Sequence, residues 1–416
     1  MTYLNAQKYI TAAPSEPVAG QLSALLSALG NPQRRLRYLR LAGTNGKTVC
    51  AEMLSAILKE TEHTVGALRM PIRSEQRENV CINGTPISMS EFSSHMSEIK
   101  RIITEQQLIL TGNEMILAVA LCAFRDAGCR FCLIECNHQG SDPSVSLPPP
   151  ISAVICGTIP SDDASEISRV RSYISRGTEE VISAPQNPEA YRIISDICYS
   201  ASCRLTLPTR TAVSVDRTTL RGVDFTYRGE SYSLNVCGSF QVTNAVIVIE
   251  IVEMLERKGF AIGREAVRQG FANLKLPCKF EVISLSPLMI VDSTHTPVAI
   301  KTVCDSFAEF SGAIPSRVRL CLPDKETIDS YRAELSSRGF STERVFTCEP
   351  TEDGSVTVCK NTKSMAKAAL SDLDKDTVLM VSGDHPFVSP LRYERTADKR
   401  RPLREGDQRS QADSWR

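Results

Sequence analysis

The chain has 416 residues, 42% hydrophobic and 23% charged, with 48 Lys+Arg against 48 Asp+Glu. That length calls for two or three domains of ordinary globular composition. Balanced charge argues against a nucleic-acid or membrane-surface partner. No apolar run reaches the roughly 18 residues of a membrane span, and the opening MTYLNAQKYITAAPSEP carries no apolar signal core. The 15 cysteines are odd in number and scattered, which predicts reduced thiols in a cytoplasmic protein.

In chain order, QLSALLSAL (21–29) predicts a helix and YLRLA (38–42) a strand. VCAEMLSAILKE (49–60) places Val49, Met53 and Ile57, with Leu54 and Leu58, at helical spacing. Between strand and helix lies LAGTNGKT (41–48), a short G-x-x-G-K-T loop. The longer phosphate-loop spacing needs glycine at Leu41. Such a loop can wrap phosphates with backbone N–H groups at the positive end of a helix. Lys47 would reach the β/γ-phosphates of ATP, and the Thr48 hydroxyl would hold Mg²⁺. The plainer reading is an ordinary turn at Asn45-Gly46.

Helices are predicted at 91–103, 113–127 and 241–259, and strands at 131–135, 152–156, 288–293, 318–323 and 377–383. This alternation predicts parallel α/β architecture. Cys129, Cys132 and Cys136 invite a metal reading. However, FCLIE (131–135) reads as a buried strand in which thiols behave as small hydrophobes. Between Thr206 and Cys237, short alternating runs predict an antiparallel patch on the first domain. A boundary falls near Pro277, giving domains at 1–276 and 277–392. From 393 to 416 the chain is nearly free of apolar residues and predicts a charged, disordered tail.

Several segments carry a family resemblance. LLSALGNPQRRLRYLRLAGTNGKT (25–48), RENVCINGTPISMSEF (77–92) and TGNEMILAVALCAFRDAGCRFCLIE (111–135) fall in the order of the folylpolyglutamate synthase/dihydrofolate synthase family, a branch of the Mur ligases. CGSFQVTNA (237–245) resembles its G-x-x-Q-x-x-N-A segment, and LPCKFEVIS with MIVDSTHTP (276–297) its crossing into a second domain. The resemblance implies a P-loop-type parallel-sheet domain with helices on both faces, plus a smaller C-terminal Rossmann-like α/β domain. It implies an ATP-dependent ligase that phosphorylates a folate or pteroate carboxylate and adds L-glutamate through an acyl phosphate, usually as a monomer. Gly43, Thr44, Asn45, Gly46, Lys47 and Thr48 match the phosphate loop. Glu135 matches an acid that ligates Mg²⁺. Gln241 and Asn244 match polar positions near the nucleotide, or simply cap a helix. Asp292 and His295 match a D-x-A-H-N-P motif facing nucleotide and amino acid.

The departures are equally specific. The family's glycine-rich run after the metal-binding acid is replaced by ECNHQGSDPSVS (135–146), where only Gly140 and Asp142 fit. Its L-D-H histidine is missing from AVICGTIPSDDASE (153–166). There Asp162 or Asp163 falls near the place, or His138 reaches in from the preceding loop. Its carbamylated lysine is missing from ISRVRSYISRG (167–177), which holds Arg169, Arg171 and Arg176 instead. Lys279 stands for an arginine near the nucleotide. One Mg²⁺ is therefore expected through Thr48 and Glu135, with Asp162 as a further ligand, and a weak or empty second metal position. The alternatives are a nucleotide-binding relative without turnover and a Mur-type ligase for another carboxylate and amino acid.

Overall fold

The computed structural model describes residues 1–416 except 44, 74, 138–141, 161, 294–295, 385, 389–391 and 393–416, and the side chain of 210. The expected disordered tail, 393–416, thus lies outside the described residues. The chain divides into two compact units, Met1–Lys275 and Leu276–Arg416.

In unit 1, β1 (Tyr38–Ala42), β2 (Val65–Leu68), β3 (Val80–Ile82), β4 (Thr85–Pro86), β5 (Phe131–Glu135), β6 (Ser152–Ile155), β7 (Glu180–Ser183) and β8 (Arg204–Thr206) form one sheet in the order β4-β3-β2-β5-β1-β6-β7-β8. The pairs from β2 to β8 are parallel, and β3 and β4 close one edge antiparallel. Every residue of β1 and β5 is buried, as expected of central strands covered on both faces. The central position of β1 sets Leu41 beside Glu135 and Ala42 beside Ile155. Three strand ends therefore converge where the chain's course across the sheet changes direction, the usual ligand edge of such sheets.

The helices are α1 (Tyr3–Thr11), α2 (Gln21–Ala28), α3 (Lys47–Lys59), α4 (Met89–Glu105), α5 (Gly112–Asp126), α6 (Ala164–Tyr173), α7 (Pro188–Ala201), α8 (Gln241–Arg257) and α9 (Arg264–Ala272). α4 and α5 start at capping boxes, Ser88 with Glu91 and Thr111 with Glu114, which satisfy first-turn N–H groups. α5 is apolar all round and buried from Glu114 to Phe124, so it serves as a core helix. The antiparallel patch is β9 (Val213–Thr219), β10 (Gly222–Tyr227) and β11 (Glu230–Leu234). It is tied to α8 by Tyr227 Oη donating to Glu250, which Arg228 also meets at 2.6 Å.

In the middle of β1 stands Arg40, fully buried. It donates to the carbonyls of Tyr173 (3.2 Å), Ser144 (2.9 Å) and Leu147 (3.0 Å), so the segment after β5 is stapled beneath the sheet's ligand edge. All fifteen cysteines are free thiols, and all but Cys203 and Cys348 are buried. Among the described residues no helix is long and apolar enough to cross a membrane.

Unit 2 holds β12 (Glu281–Leu285), β13 (Leu288–Asp292), β14 (Arg317–Cys321), β15 (Ser341–Thr347), β16 (Val356–Val358) and β17 (Thr377–Ser382), ordered β12-β13-β17-β14-β15-β16 with β12 antiparallel. Its helices are α10 (Pro297–Ala308), α11 (Lys325–Ser336) and α12 (Thr362–Leu370). This is the smaller Rossmann-like unit. Arg319 on β14 is 1% exposed. It forks onto Glu343 at 3.1 Å and donates to the carbonyls of Ala369 (2.9 Å) and Ser371 (3.0 Å), which α12 leaves unpaired at its end. Arg319→Ala strands those acceptors. Because Glu343 is partly exposed, the expected loss is about 2–3 kcal/mol in urea unfolding. A loss under about 0.5 kcal/mol would mean that the fork does not hold α12.

Candidate functional site

The sharp turn between β1 and α3 is made by Gly43 at φ +102° and Gly46 at φ +86°, both left-handed. Gly43 lies flush against the next strand: a Cβ there would stand 2.0 Å from the carbonyl oxygen of Cys156. Thr44 lies outside the described residues. α3 begins at Lys47, and its first intrahelical bond of this turn runs from Cys50 N–H to the Gly46 carbonyl at 2.8 Å. The first turn of α3 thus places backbone N–H groups at the positive end of the helix dipole, which favours an anion.

Lys47 is buried, 7% exposed, with Nζ donating to the Gly43 carbonyl at 2.7 Å. Burial lowers its proton affinity, and the carboxylate of Glu135 works in the opposite direction. Thr48 Oγ1 donates to Glu135 Oε2 at 3.1 Å, across the sheet from β5. Glu135 is 1% exposed, and its other oxygen, Oε1, is buried without a hydrogen-bond partner. A buried carboxylate oxygen with no donor, beside a hydroxyl and an anion-favouring helix end, suits a hard divalent cation. Mg²⁺ would take Thr48 and Glu135 there, with phosphate and water oxygens completing its octahedron.

Gln241 and Asn244 open α8 and pack against this loop. Asn244 Nδ2 donates to Gln241 Oε1 at 3.0 Å, and the Asn244 Oδ1 lies 2.6 Å from where a Gly46 Cβ would stand. Gln241 Nε2 is buried with no partner. Beside them is a cavity of about 560 Å³ walled by Val242, Val246, Val213, Val215 and Phe240, with hydroxyls from Thr158, Ser239 and Thr243 and no charged side chain.

Other sequence-predicted residues fall elsewhere. Asp162 is exposed in the turn before α6, and no described contact joins it to Thr48 or Glu135. Asp163 caps α6, accepting from the N–H groups of Ser165 (2.9 Å) and Glu166 (3.1 Å). His138 and Gly140 lie outside the described residues. Asp142 accepts from the N–H groups of Asn137 (2.8 Å) and Ser144 (2.9 Å), which orders the segment after Glu135. In unit 2, Asp292 is buried and accepts the Phe280 N–H at 2.7 Å, and Lys279 is half-buried in the same turn. His295 lies outside the described residues. Among the described residues no group of three or more His, Cys, Asp and Glu side chains could hold a metal.

Three charged residues escaped the sequence reading. Glu52 and Arg69 form a largely buried ion pair one helical turn along α3 from Thr48. Burial pushes the Glu52 carboxyl up, Arg69 pulls it down, and Glu135 adds to the rise. For Arg69, burial works against the charge, and Glu52 and Glu135 outweigh it. Glu166 on α6 is 2% exposed, is paired with Arg169 at 3.0 Å, and is felt by Lys47. The available signals were a glutamate four residues after Thr48 on an apolar helix, and an arginine closing the apolar run VGAL.

The chain matches no family model. A probable bifunctional folylpolyglutamate synthase/dihydropteroate synthase of Halobacterium salinarum is 23% identical over 412 residues, 91% of this chain and 49% of that protein, so the chain spans about half that relative's length. The dihydrofolate synthase/folylpolyglutamate synthase of Bacillus subtilis is 23% identical over 329 residues, 74% of this chain and 76% of that one. The structure of Mycobacterium tuberculosis folylpolyglutamate synthase complexed with ADP and AMPPCP superposes with a TM-score of 0.77 at 21% identity, covering 95% of this chain and 98% of that one. The structural likeness gives the fold, and the sequence matches run through both units. In sequence the chain is thus similar to folylpolyglutamate and dihydrofolate synthases, as a divergent relative, and it shares the fold of the solved folylpolyglutamate synthases.

Proposed function

We propose that the protein is an ATP-dependent ligase that joins L-glutamate to a folate or pteroate carboxylate. The observation that carries this reading is Glu135, buried beside Thr48 at the start of α3 with one oxygen unpartnered. The family and the names of its relatives supply the substrate class. In this reading Gly43, Thr44, Asn45 and Gly46 wrap the phosphates with their backbone. Lys47 turns from the Gly43 carbonyl to the β/γ-phosphates. Gln241 and Asn244 hold the loop's far side, and the uncharged cavity beside them offers apolar walls to the organic part of the nucleotide. Lys279, Asp292 and His295 are carried over from the resemblance as residues of unit 2 that serve the nucleotide and amino acid.

Mg²⁺ held by Thr48 and Glu135 would neutralise charge on the phosphates. A substrate carboxylate oxygen bonds to the γ-phosphorus, and ADP departs with the electrons of the broken P–O bond. The glutamate amine then attacks the acyl carbon, and phosphate leaves. The burial of Lys47 would strengthen its hold on charge developing on the phosphoryl oxygens, and Glu135 would act through the cation it holds.

A second reading is favoured by Asp163, which is committed to capping α6, and by Asp162, which is exposed. If no further cation assists there, the chain binds ATP with slow turnover or none. Phosphate release by purified protein decides between the two. Release that requires both a pteroate or folate and glutamate supports the ligase. Binding of ATP without such release supports the non-catalytic reading, and a requirement for another amino acid points to a different Mur-type ligase. The protein is further expected to act as a cytoplasmic monomer, which sedimentation and cell fractionation test.

A further inference from the structure

Arg69 is built into the phosphate edge in a way that an ordinary structural ion pair does not require. It is the residue immediately after β2, and the parallel register Leu68↔Ile134 sets it beside Glu135, with both side chains toward α3. There Thr48 meets Glu135, and Glu52, four residues on and so on the same helix face, meets Arg69. The backbone of Arg69 is clamped by fully buried Asn79. Its N–H donates to the Asn79 carbonyl at 2.8 Å, and its carbonyl accepts from Asn79 Nδ2 at 2.6 Å. The next residue, Met70, turns its N–H toward Glu135 Oε2 at 3.4 Å.

The guanidinium so held is 8% exposed as a residue, and its Nε is buried with no hydrogen-bond partner. A buried donor left unpaired is costly, so a structural pair alone would be expected to satisfy it. The charge around the loop gives the same direction. Three carboxylates, Glu52, Glu135 and Glu166, stand near Lys47 and Thr48. Arg169 is spent on Glu166 at 3.0 Å, and Arg73 reaches toward Glu78 at 3.9 Å. A polyphosphate entering this edge meets acids as well as Lys47, and a fixed fork of donors answers the additional charge better than a second point cation does.

We infer that Arg69 is a catalytic residue that contacts the oxygens of the transferring phosphoryl group, held in place by Glu52. The inference rests on the ATP-dependent reading above. In the step it serves, the substrate carboxylate oxygen bonds to the γ-phosphorus while the β–γ bridging P–O bond breaks. ADP takes that electron pair and no proton moves. Arg69 stays protonated and stabilises the three peripheral oxygens.

The test is the ratio of the dissociation constants for ADP and for the β,γ-methylene analogue of ATP, measured with Mg²⁺ by calorimetry. Wild type, Arg69→Met and Arg69→Lys are compared. In Arg69→Met the analogue is expected to lose about 10-fold or more in affinity while ADP stays within about 2-fold; Arg69→Lys, which keeps charge but not the fork, falls between. If Arg69→Met does not melt cooperatively, Arg69→Lys decides, with a ratio lowered about 3-fold or more expected. An unchanged ratio in the folded variants overturns the role of Arg69 and leaves the nucleotide reading standing. Wild type that binds neither nucleotide overturns both.

Discussion

Lys47→Ala is expected to remove nucleotide binding while the chain stays folded. The ammonium is buried against the Gly43 carbonyl, and Glu135 is the charge that does most to keep it protonated. Burying a cation costs solvation, and the Gly43 carbonyl bond and the Glu135 carboxylate offset that cost in part. Removing it therefore costs little stability, and the melting midpoint is expected within about 3 °C of wild type. With phosphate present the balance reverses, because a desolvated cation at the helix start binds phosphate oxygens in a low-dielectric site. Its loss is expected to cost about 10²–10³ in affinity or turnover. Calorimetry with an ATP analogue and a thermal melt, run on the same preparation, check both halves. Retained affinity would take Lys47 out of the site.

Gly43→Ala is expected to do the opposite to stability and the same to binding. Alanine at φ +102° is strained before any contact is counted. Its Cβ would also meet the Cys156 backbone, with O at 2.0 Å, C at 2.9 Å and N at 3.0 Å. That backbone cannot yield easily, since Cys156 N–H bonds the Ala42 carbonyl at 2.8 Å and follows the β1–β6 pairing. Strain and overlap together are expected to cost about 3 kcal/mol or more, lowering the melting midpoint by roughly 6–12 °C. Gly46→Ala is the control. There the nearest atom is the Asn244 side-chain Oδ1 at 2.6 Å, which can rotate away. It should melt closer to wild type, and equal losses at the two glycines would show that the Cys156 contact is not the cause.

The strand–loop–helix at 38–59 was readable because every part of it is local: an apolar strand, glycines at the turn, helical spacing after Lys47. The alternation of strands and helices and the antiparallel patch at β9 to β11 were legible for the same reason. The strand order was not. That β5 slips between β1 and β2 decides which acid faces Thr48 and which arginine stands beside it, and no periodicity encodes it. Arg40 and Arg319 were equally hidden, because YLRLA and VRLCLP read as apolar strands with a polar interruption. Their burial depends on carbonyls 104 and 50 residues away. At Asp163 the residue type fitted both a metal ligand and a helix cap, and the backbone of Ser165 and Glu166 claims it as a cap.

The free thiols give the protein a built-in recorder of its own opening. Burial pushes Cys81 up to about 11 and Cys129 and Cys304 up to about 12, so almost none of each is thiolate at neutral pH. An alkylating reagent meets the partly exposed Cys203 and Cys348 first, and the rest when the structure around them opens. Cys81, Cys129 and Cys132 sit in unit 1, while Cys304, Cys321 and Cys359 sit in unit 2. Labelling followed by peptide mass mapping therefore dates the opening of each unit separately, with no engineered probe, and turns the nucleotide's protection of either unit into a rate.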